Sequence, residues 1–384
     1  MRAISLARYF DHNATSPLRE SGRRALERGL DDAWSNPSSP HAEGARCHAL
    51  LDDARERMAT IVGGAPERLA FNSGATEGNN AVMAYFREKT GSRGKVAISV
   101  AEHPSVLESA KIRFGQDLEQ LPVDRNGVLS LDALSTLLGE AKPILVSVMA
   151  ANNETGVLQP WREVQSLCDA AGVPFHCDVT QWLGRLPIEG LETCDLLTGS
   201  FHKLGGPKGV GFLRTSEEDS VRLLFGGEQE AGMRAGTENV PAILGALAAL
   251  EESILEVADS SSRDLFEDRV RELIPDVRFP GADAKRLPNV SSFILPNFEN
   301  LRWINRLDRL GFAASTGSAC ATGREGPSHV LAAMGHAPEE ARRFVRVSGG
   351  WSNESQDWAA LADAFGVAFE ELRNEEGNFQ VISL

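Results

Sequence analysis

Apolar runs bounded by turn residues alternate along this chain with helix-like patterns, and that alternation restricts the fold more than any other feature. The runs lie at 96–100, 144–149, 174–176, 196–198 and 210–213, and the helical patterns at 77–87, 104–113, 131–138, 161–171 and 240–258. Strands separated by helices are joined by crossovers, which makes neighbours parallel and lays helices over both faces of the sheet. The expectation is an α/β fold built on a mainly parallel sheet. After residue 258 the texture changes. A polar stretch, 259–264, precedes strands near 291–295 and 346–348 and helices near 301–310, 327–334 and 357–372. We therefore expect a large domain over 15–258 and a smaller α+β C-terminal domain over 259–384, with residues 1–14 packing on the latter. A length of 384 residues suits two domains or one large enzyme.

Composition narrows the function classes. Apolar residues make up 42% and charged residues 24%, as in ordinary globular proteins. Lys+Arg 39 against Asp+Glu 54 gives a net charge of −15, which argues against nucleic acid or an anionic membrane as a general partner. No run approaches the roughly 18 apolar residues of a membrane helix, and the apolar part of residues 1–8 is too short for a signal peptide. The five cysteines, 47, 168, 177, 194 and 320, include no CxxC pair. That usage fits a reducing cytoplasm, with neither a disulfide framework nor a zinc ribbon. Cys47, Cys168, Cys177 and Cys194 read as small buried side chains. His41, His48, His329 and His336 have no metal-ligand spacing.

In open α/β sheets ligands bind at the carboxyl ends of the strands, so the residues following each run are the place to look for a site. The run 96–100 leads into Glu102-His103. The run 144–149 leads into Asn152-Asn153-Glu154-Thr155-Gly156, and 174–176 into Cys177-Asp178-Val179-Thr180-Gln181. The run 196–198 leads into Ser200-Phe201-His202-Lys203, followed by a Gly-rich segment to Gly209. Four successive strand ends carrying His, Asn, Asp and Ser-x-His-Lys are hard to read as solvent caps. Upstream, Ser73-Gly74-Ala75-Thr76 opens a helix whose N-terminus favours an anion. It is no nucleotide loop, since no GxGxxG follows the first strand and no Gly-Lys-Ser/Thr occurs. A phosphate cup from Thr76, Ser200 and His202, a carboxylate at Asp178 and a lysine at Lys203 match the needs of pyridoxal 5'-phosphate. That cofactor requires a Schiff-base lysine and an acid beside its pyridinium nitrogen. His103 would stack over the ring.

These stretches resemble the cysteine desulfurases of the class V aminotransferase superfamily, which have the type I fold of pyridoxal-phosphate enzymes. The likeness also includes Asp11-His12-Asn13-Ala14-Thr15, Met233-Arg234-Ala235-Gly236-Thr237 and Ser315-Thr316-Gly317-Ser318-Ala319-Cys320, and runs from about residue 9 to about residue 370. By resemblance, Lys203 is the Schiff-base lysine, Asp178 the pyridinium partner and His103 the stacking and proton-transferring histidine. Gln181 would bond the phenolic oxygen, Asn153 ring and substrate, and Ala75, Thr76, Ser200 and His202 the phosphate. Thr237 would reach the phosphate site of a second subunit, implying a homodimer. Arg346 would bind the substrate carboxylate and Cys320, in a loop like that of the long-loop subgroup, would carry a persulfide.

The implied reaction converts L-cysteine to L-alanine and leaves sulfur on Cys320 for a sulfur-acceptor protein or small thiol, iron–sulfur assembly being one destination. Selenocysteine lyase, another class V aminotransferase activity and a catalytically silent partner-binding subunit stay open as alternatives. Two features depart from the family: Val347-Ser348-Gly349-Gly350-Trp351 follows Arg346, and a short acidic tail is expected after a last helix ending near Asn374. From that tail we expect weak or no stable binding to an iron–sulfur scaffold protein.

Overall fold

The structure, a computed structural model, describes residues 5–91, 94–216, 219–256, 259–317 and 328–382, with side chains to Glu375. Two helices come first, α1 (Glu20–Asp32) and α2 (Ala42–Val62). The order then alternates: β1 (Leu69–Asn72), α3 (Ala75–Thr90), β2 (Val96–Ser99), α4 (Pro104–Phe114), β3 (Leu118–Leu121), α5 (Leu131–Glu140), β4 (Leu145–Ser147), α6 (Trp161–Ala171), β5 (Phe175–Asp178), β6 (Leu196–Ser200), β7 (Gly211–Arg214) and α7 (Val240–Ser253). The C-terminal part contains α8 (Ser261–Leu273), β8 (Val290–Ile294), α9 (Asn300–Arg309), α10 (His329–Ala333), α11 (Pro338–Ala341), β9 (Phe344–Ser348) and α12 (Ser355–Ile382).

The sheet order is β1-β7-β6-β5-β4-β2-β3. Strands β2 to β6 are mutually parallel, which makes the sheet mainly parallel and the fold α/β. Strand β7 runs antiparallel to β6, and β1 antiparallel to β7. The reason lies in chain length. Only ten residues join β6 to β7, from Phe201 to Val210, fewer than a parallel crossover requires. Every residue of β1, β2, β4, β5, β6 and β7 is buried, so these strands read as nearly unbroken apolar runs. Strand β3, with its partly exposed Leu-Glu-Gln-Leu sequence, lies at the edge.

Strands β8 and β9 form a separate antiparallel pair. Their inner face joins α8, α9 and α12 in an aromatic core of Phe266, Phe293, Trp303, Trp358, Phe365 and Phe369, and Phe10 from the N-terminal segment belongs to it. Helix α8 starts inside the stretch that reads as a polar linker; Ser260 stands at its N-cap without a capping side-chain bond, and Asp259 before it accepts from the Ser261 N–H at 3.0 Å. Helix α12 also departs from expectation. It does not stop near Asn374 but continues to Ile382, so the stretch read as an acidic tail is helical. Glu371 and Glu375 on it pair with Arg306 of α9. Among the described residues no helix is long and apolar enough to cross a membrane.

Phe293 is fully buried, with ring centroids of Phe266, Phe279 and Phe365 at 6.0, 5.5 and 5.1 Å. Phe293→Ala should destabilise this core by about 3–5 kcal/mol. The change is read as a lowered midpoint of urea unfolding, and an unchanged midpoint would show that the cluster collapses to fill the gap.

Candidate active site

The carboxyl ends of β4, β5 and β6 and the N-termini of α3 and α4 converge on one cavity of about 190 Å³. Ala75, Thr76, His103, Asn153, Asp178, Gln181, Ser200, His202 and Lys203 all line it. One wall is an anion-type cradle. Gly74 precedes α3 with φ +148°, and the Ala75 N–H donates to Ser200 Oγ at 2.7 Å. The loop must lie close to β7. A Cβ on Gly211 would stand 2.4 Å from Gly74 Cα and 2.5 Å from the Gly199 carbonyl oxygen, both backbone atoms. His202 completes this side, its Nδ1 3.1 Å from Thr15 Oγ1. Burial, with help from Lys203, Lys208 and Arg185, holds its pKa down at about 4.

Asp178 ends β5 and is buried. Its Oδ1 accepts from the Thr180 N–H and its Oδ2 from Asn79 Nδ2, each at 2.9 Å. His103 caps α4, its Nδ1 accepting from the Ser105 N–H at 3.1 Å. Burial first, then Lys203 and His329, press its pKa down to about 4, while Asp178 pulls the other way. Behind it Glu102 is fully buried. Burial raises its carboxyl pKa well above the usual range, and Oε1 accepts from the Met149 N–H at 2.6 Å. Lys203 closes a 3₁₀ turn, Phe201–Lys203, whose last carbonyl accepts from Ser16 Oγ at 2.8 Å and Arg185 Nη2 at 2.9 Å. The backbone beneath the lysine is therefore fixed at two points. Its other side borders a second cavity of about 190 Å³, lined by His12, Arg19, Arg185 and Trp351.

Gln181 has its amide committed at both ends, Nε2 to the Asn13 carbonyl at 3.1 Å and Oε1 to Arg185 Nη1 at 2.8 Å. Arg346 lies behind Asn153 and is 1% exposed. Its Nη2 pairs with Asp11 at 2.7 Å, Nη1 donates to the Asn153 and Gly317 carbonyls at 3.0 and 2.6 Å, and Nε has no partner among the described residues. Thr237 is exposed and off the cavity. Its neighbour Arg234 pairs with Glu77 at 3.1 Å, which sets that loop beside α3. Cys320 lies outside the described residues. Cys47, Cys168, Cys177 and Cys194 are all buried, and burial raises the Cys168 thiol to about 12 and Cys177 well above its ordinary value. Among the described residues no group of three or more His, Cys, Asp or Glu could hold a metal ion.

Reading strand ends one at a time does not find Asn79, His176, Arg185 or His329. For the first three a signal existed. Asn79 lies four residues after Ala75 on the same helix face, His176 two before Asp178 on the same strand face, and Arg185 four after Gln181. His329 arrives from α10, and its Nε2 meets the Glu102 carbonyl at 2.9 Å across more than two hundred residues.

The chain matches the family model for class-V aminotransferases over residues 8–361. It is 36% identical over 375 residues to a cysteine desulfurase, IscS, of Dictyoglomus turgidum, covering 95% of each chain, and 34% identical over 378 residues to one from Archaeoglobus fulgidus, covering 95% of this chain and 98% of that one. Among solved structures it resembles a NifS-like protein with a TM-score of 0.86 at 30% identity, over 94% of this chain and 99% of the other. A structure described as SspA in complex with cysteine superposes with a TM-score of 0.78 at 27% identity, over 90% and 100%. The chain belongs to the cysteine desulfurase family of class-V aminotransferases. It is thus an enzyme of a pyridoxal-phosphate-dependent family, with the family's α/β fold.

The desolvation that shapes this desulfurase-type site also makes it acid-sensitive. His12 and His176 are buried, and burial holds their pKa values at about 3 and about 4 against the ordinary 6.5. Between those limits the unfolded chain binds more protons, so their contribution to stability is complete above pH 6.5 and is lost as the pH falls. Lowering the pH from 6.5 to 5 should cost on the order of 3–4 kcal/mol for the two together. Urea unfolding of cofactor-free protein checks this; stability that is flat across the interval would contradict it.

Proposed function

We propose that this chain is a cytoplasmic, homodimeric, pyridoxal-phosphate-dependent cysteine desulfurase that moves sulfur from L-cysteine onto Cys320 and releases L-alanine. The observation that carries this reading is the meeting of Lys203, Asp178 and His103 in one cavity beside the α3 N-terminus, on a chain of this family. The residues fit the cofactor by their chemistry. A carboxylate held by two donors sits in the same cavity as an amine on a pinned backbone, and a helix N-terminus with a serine and a histidine offers donors to a phosphate.

Bound there, pyridoxal phosphate supplies an electron sink for negative charge developing at the substrate's Cα. Asp178 keeps the proton on the ring nitrogen, and Ala75, Thr76, Ser200 and His202 hold the phosphate. Gln181 would bond the phenolic oxygen through its remaining amide proton, and Asn153 would contact ring and substrate. Lys203 holds the cofactor at rest and takes the Cα proton on Nζ during turnover. Arg346, whose Nε lacks an acceptor among the described residues, would bind the substrate carboxylate. His103 would lie against the cofactor and would handle a proton near the thiol. The Cys320 thiolate attacks the substrate sulfur, so an S–S bond forms as the Cβ–S bond breaks; the products are L-alanine and a Cys320 persulfide. A sulfur-acceptor protein or small thiol then takes the terminal sulfur. Exposed Thr237 reaches the phosphate site of the second subunit.

Alanine and sulfide should form from L-cysteine in equal yield when a thiol reductant is present. Lys203→Ala should lower turnover by roughly 10³-fold or more with the fold intact. Cys320→Ser should retain the visible absorbance of bound cofactor yet release no sulfur, and alanine formation at the parent rate would refute the persulfide role. Mixed Lys203→Ala and Thr237→Ala subunits should regain activity once they exchange, since one hybrid site is intact. An active monomer in sedimentation would exclude the shared site.

A further inference from the structure

Asp178 and His103 are not independent, because a single side chain joins them. Asn79 is fully buried on α3. Its Nδ2 donates to Asp178 Oδ2 and to Ser105 Oγ, each at 2.9 Å, and its Oδ1 accepts from Thr198 Oγ1 at 2.6 Å. The amide has one admissible orientation, since turning it over would set Oδ1 against a carboxylate that only accepts.

That orientation propagates in both directions. The Thr198 hydroxyl proton is committed to Asn79, so Thr198 accepts from His176 Nε2 at 3.0 Å, and the bare His176 Nδ1 takes the Ser147 hydroxyl at 2.8 Å. Burial keeps His176 neutral at ordinary pH, in keeping with a ring that carries one proton. On the other side the Ser105 N–H donates to His103 Nδ1 at 3.1 Å, which makes Nδ1 an acceptor, so the Ser105 hydroxyl 2.8 Å away donates to it too while its oxygen accepts from Asn79. With two donors on Nδ1, the proton of a neutral His103 sits on Nε2. The bonds therefore run with one polarity from Ser147 through His176, Thr198 and Asn79, and divide there toward Asp178 and His103.

We propose that Asn79 is the positioning residue of this site, orienting through one hydrogen-bonded junction both the Asp178 carboxylate and the Ser105 hydroxyl that, with the Ser105 N–H, holds His103 in its Nε2–H tautomer. The roles of Asp178 and His103 toward the cofactor rest on the function proposed above, but the junction itself does not. Two consequences follow. His103 presents an N–H, so in its resting state it meets a ligand as a hydrogen-bond donor. Loss of the Asn79 amide should also weaken cofactor binding although Asn79 does not line the cavity.

The test begins with the parent protein, cofactor-free and labelled with ¹⁵N-histidine. Long-range ¹H–¹⁵N correlation spectra, with the His103 signals identified by their loss in His103→Gln, should show the Nε2–H tautomer near pH 7.5. An Nδ1–H form or an even mixture overturns the proposal without any Asn79 variant having to fold. Affinity for pyridoxal phosphate, followed by absorbance titration, should fall roughly ten- to a hundredfold in Asn79→Ala. It should fall at least as far in the isosteric Asn79→Asp, which sets a second acceptor against Asp178. A merely space-filling residue would give the opposite order, with the aspartate behaving as the parent, and that result rejects the assignment. A parent that binds no pyridoxal phosphate at all would sink the proposed function, while the His103 tautomer would still decide the junction.

Discussion

Backbone touches backbone where the loop before α3 meets β7, and the geometry of the site follows from that contact. Gly211, Gly199 and Gly74 approach so closely that a methyl group on Gly211 would stand 2.4 Å from a neighbouring Cα. Nothing there can yield, because the obstructing atoms are main chain on both sides. The approach delivers the α3 N-terminus to Ser200 at the end of β6, so the Ala75 N–H and the serine hydroxyl share one point in space. It also sets Asn79, one turn along α3, within reach of β5 and β6. The antiparallel return of β7 is therefore no incidental hairpin. It brings the glycine that lets a helix terminus and a strand end form one cradle.

Around that cradle the protein desolvates ionisable groups unevenly. His12, His103, His176 and His202 all have their pKa values lowered, chiefly by burial, while Glu102 is pushed the other way. The shared outcome is neutrality. Burial disfavours the charged form in each case, so the imidazoles stay uncharged near neutral pH and the glutamate carboxyl is pushed toward its neutral form. Arg185 fits the same logic at a distance. Burial lowers its pKa to about 10, yet it remains a cation and fastens the Lys203 carbonyl and Gln181 from behind. The polar groups of the site are thus held by hydrogen bonds from the protein itself, which is the condition for electrostatic preorganisation.

Much of this was legible in the sequence because parallel sheets concentrate information at strand ends. The central strands were visible as apolar runs, and the residues just beyond them, His103, Asn153, Asp178, Ser200, His202 and Lys203, do line one cavity. What escaped has physical reasons. Strand β3 alternates too weakly at an exposed edge, and α1 is rich in charge, with only Gly22, Ala25 and Gly29 buried. The direction of β7 depends on loop length rather than on composition. A helix ending near Asn374 is the reading that the acidic stretch suggests, yet Glu371 and Glu375 pair with Arg306 of α9 and the helix runs on to Ile382. Long-range partners such as His329 and Glu102 leave no local trace at all.

Arg346, in the middle of β9 and singled out by resemblance, shows how far a residue's position falls short of a mechanism. The side chain is buried and already balanced by Asp11, and two carbonyls occupy Nη1. An isolated buried guanidinium would be costly, so the aspartate lets the site fold without a substrate carboxylate in it. The same pairing weakens a purely electrostatic account of substrate binding, because an arriving carboxylate meets a guanidinium whose charge is already matched. Among the described residues two of the five guanidinium protons stay uncommitted, the buried Nε–H and the second proton of Nη2. Under the proposed function, a substrate carboxylate would be oriented by these directional donors more than drawn in by net charge. That would favour a ligand whose carboxylate is held at a fixed distance from the group facing Lys203, as it is in an α-amino acid.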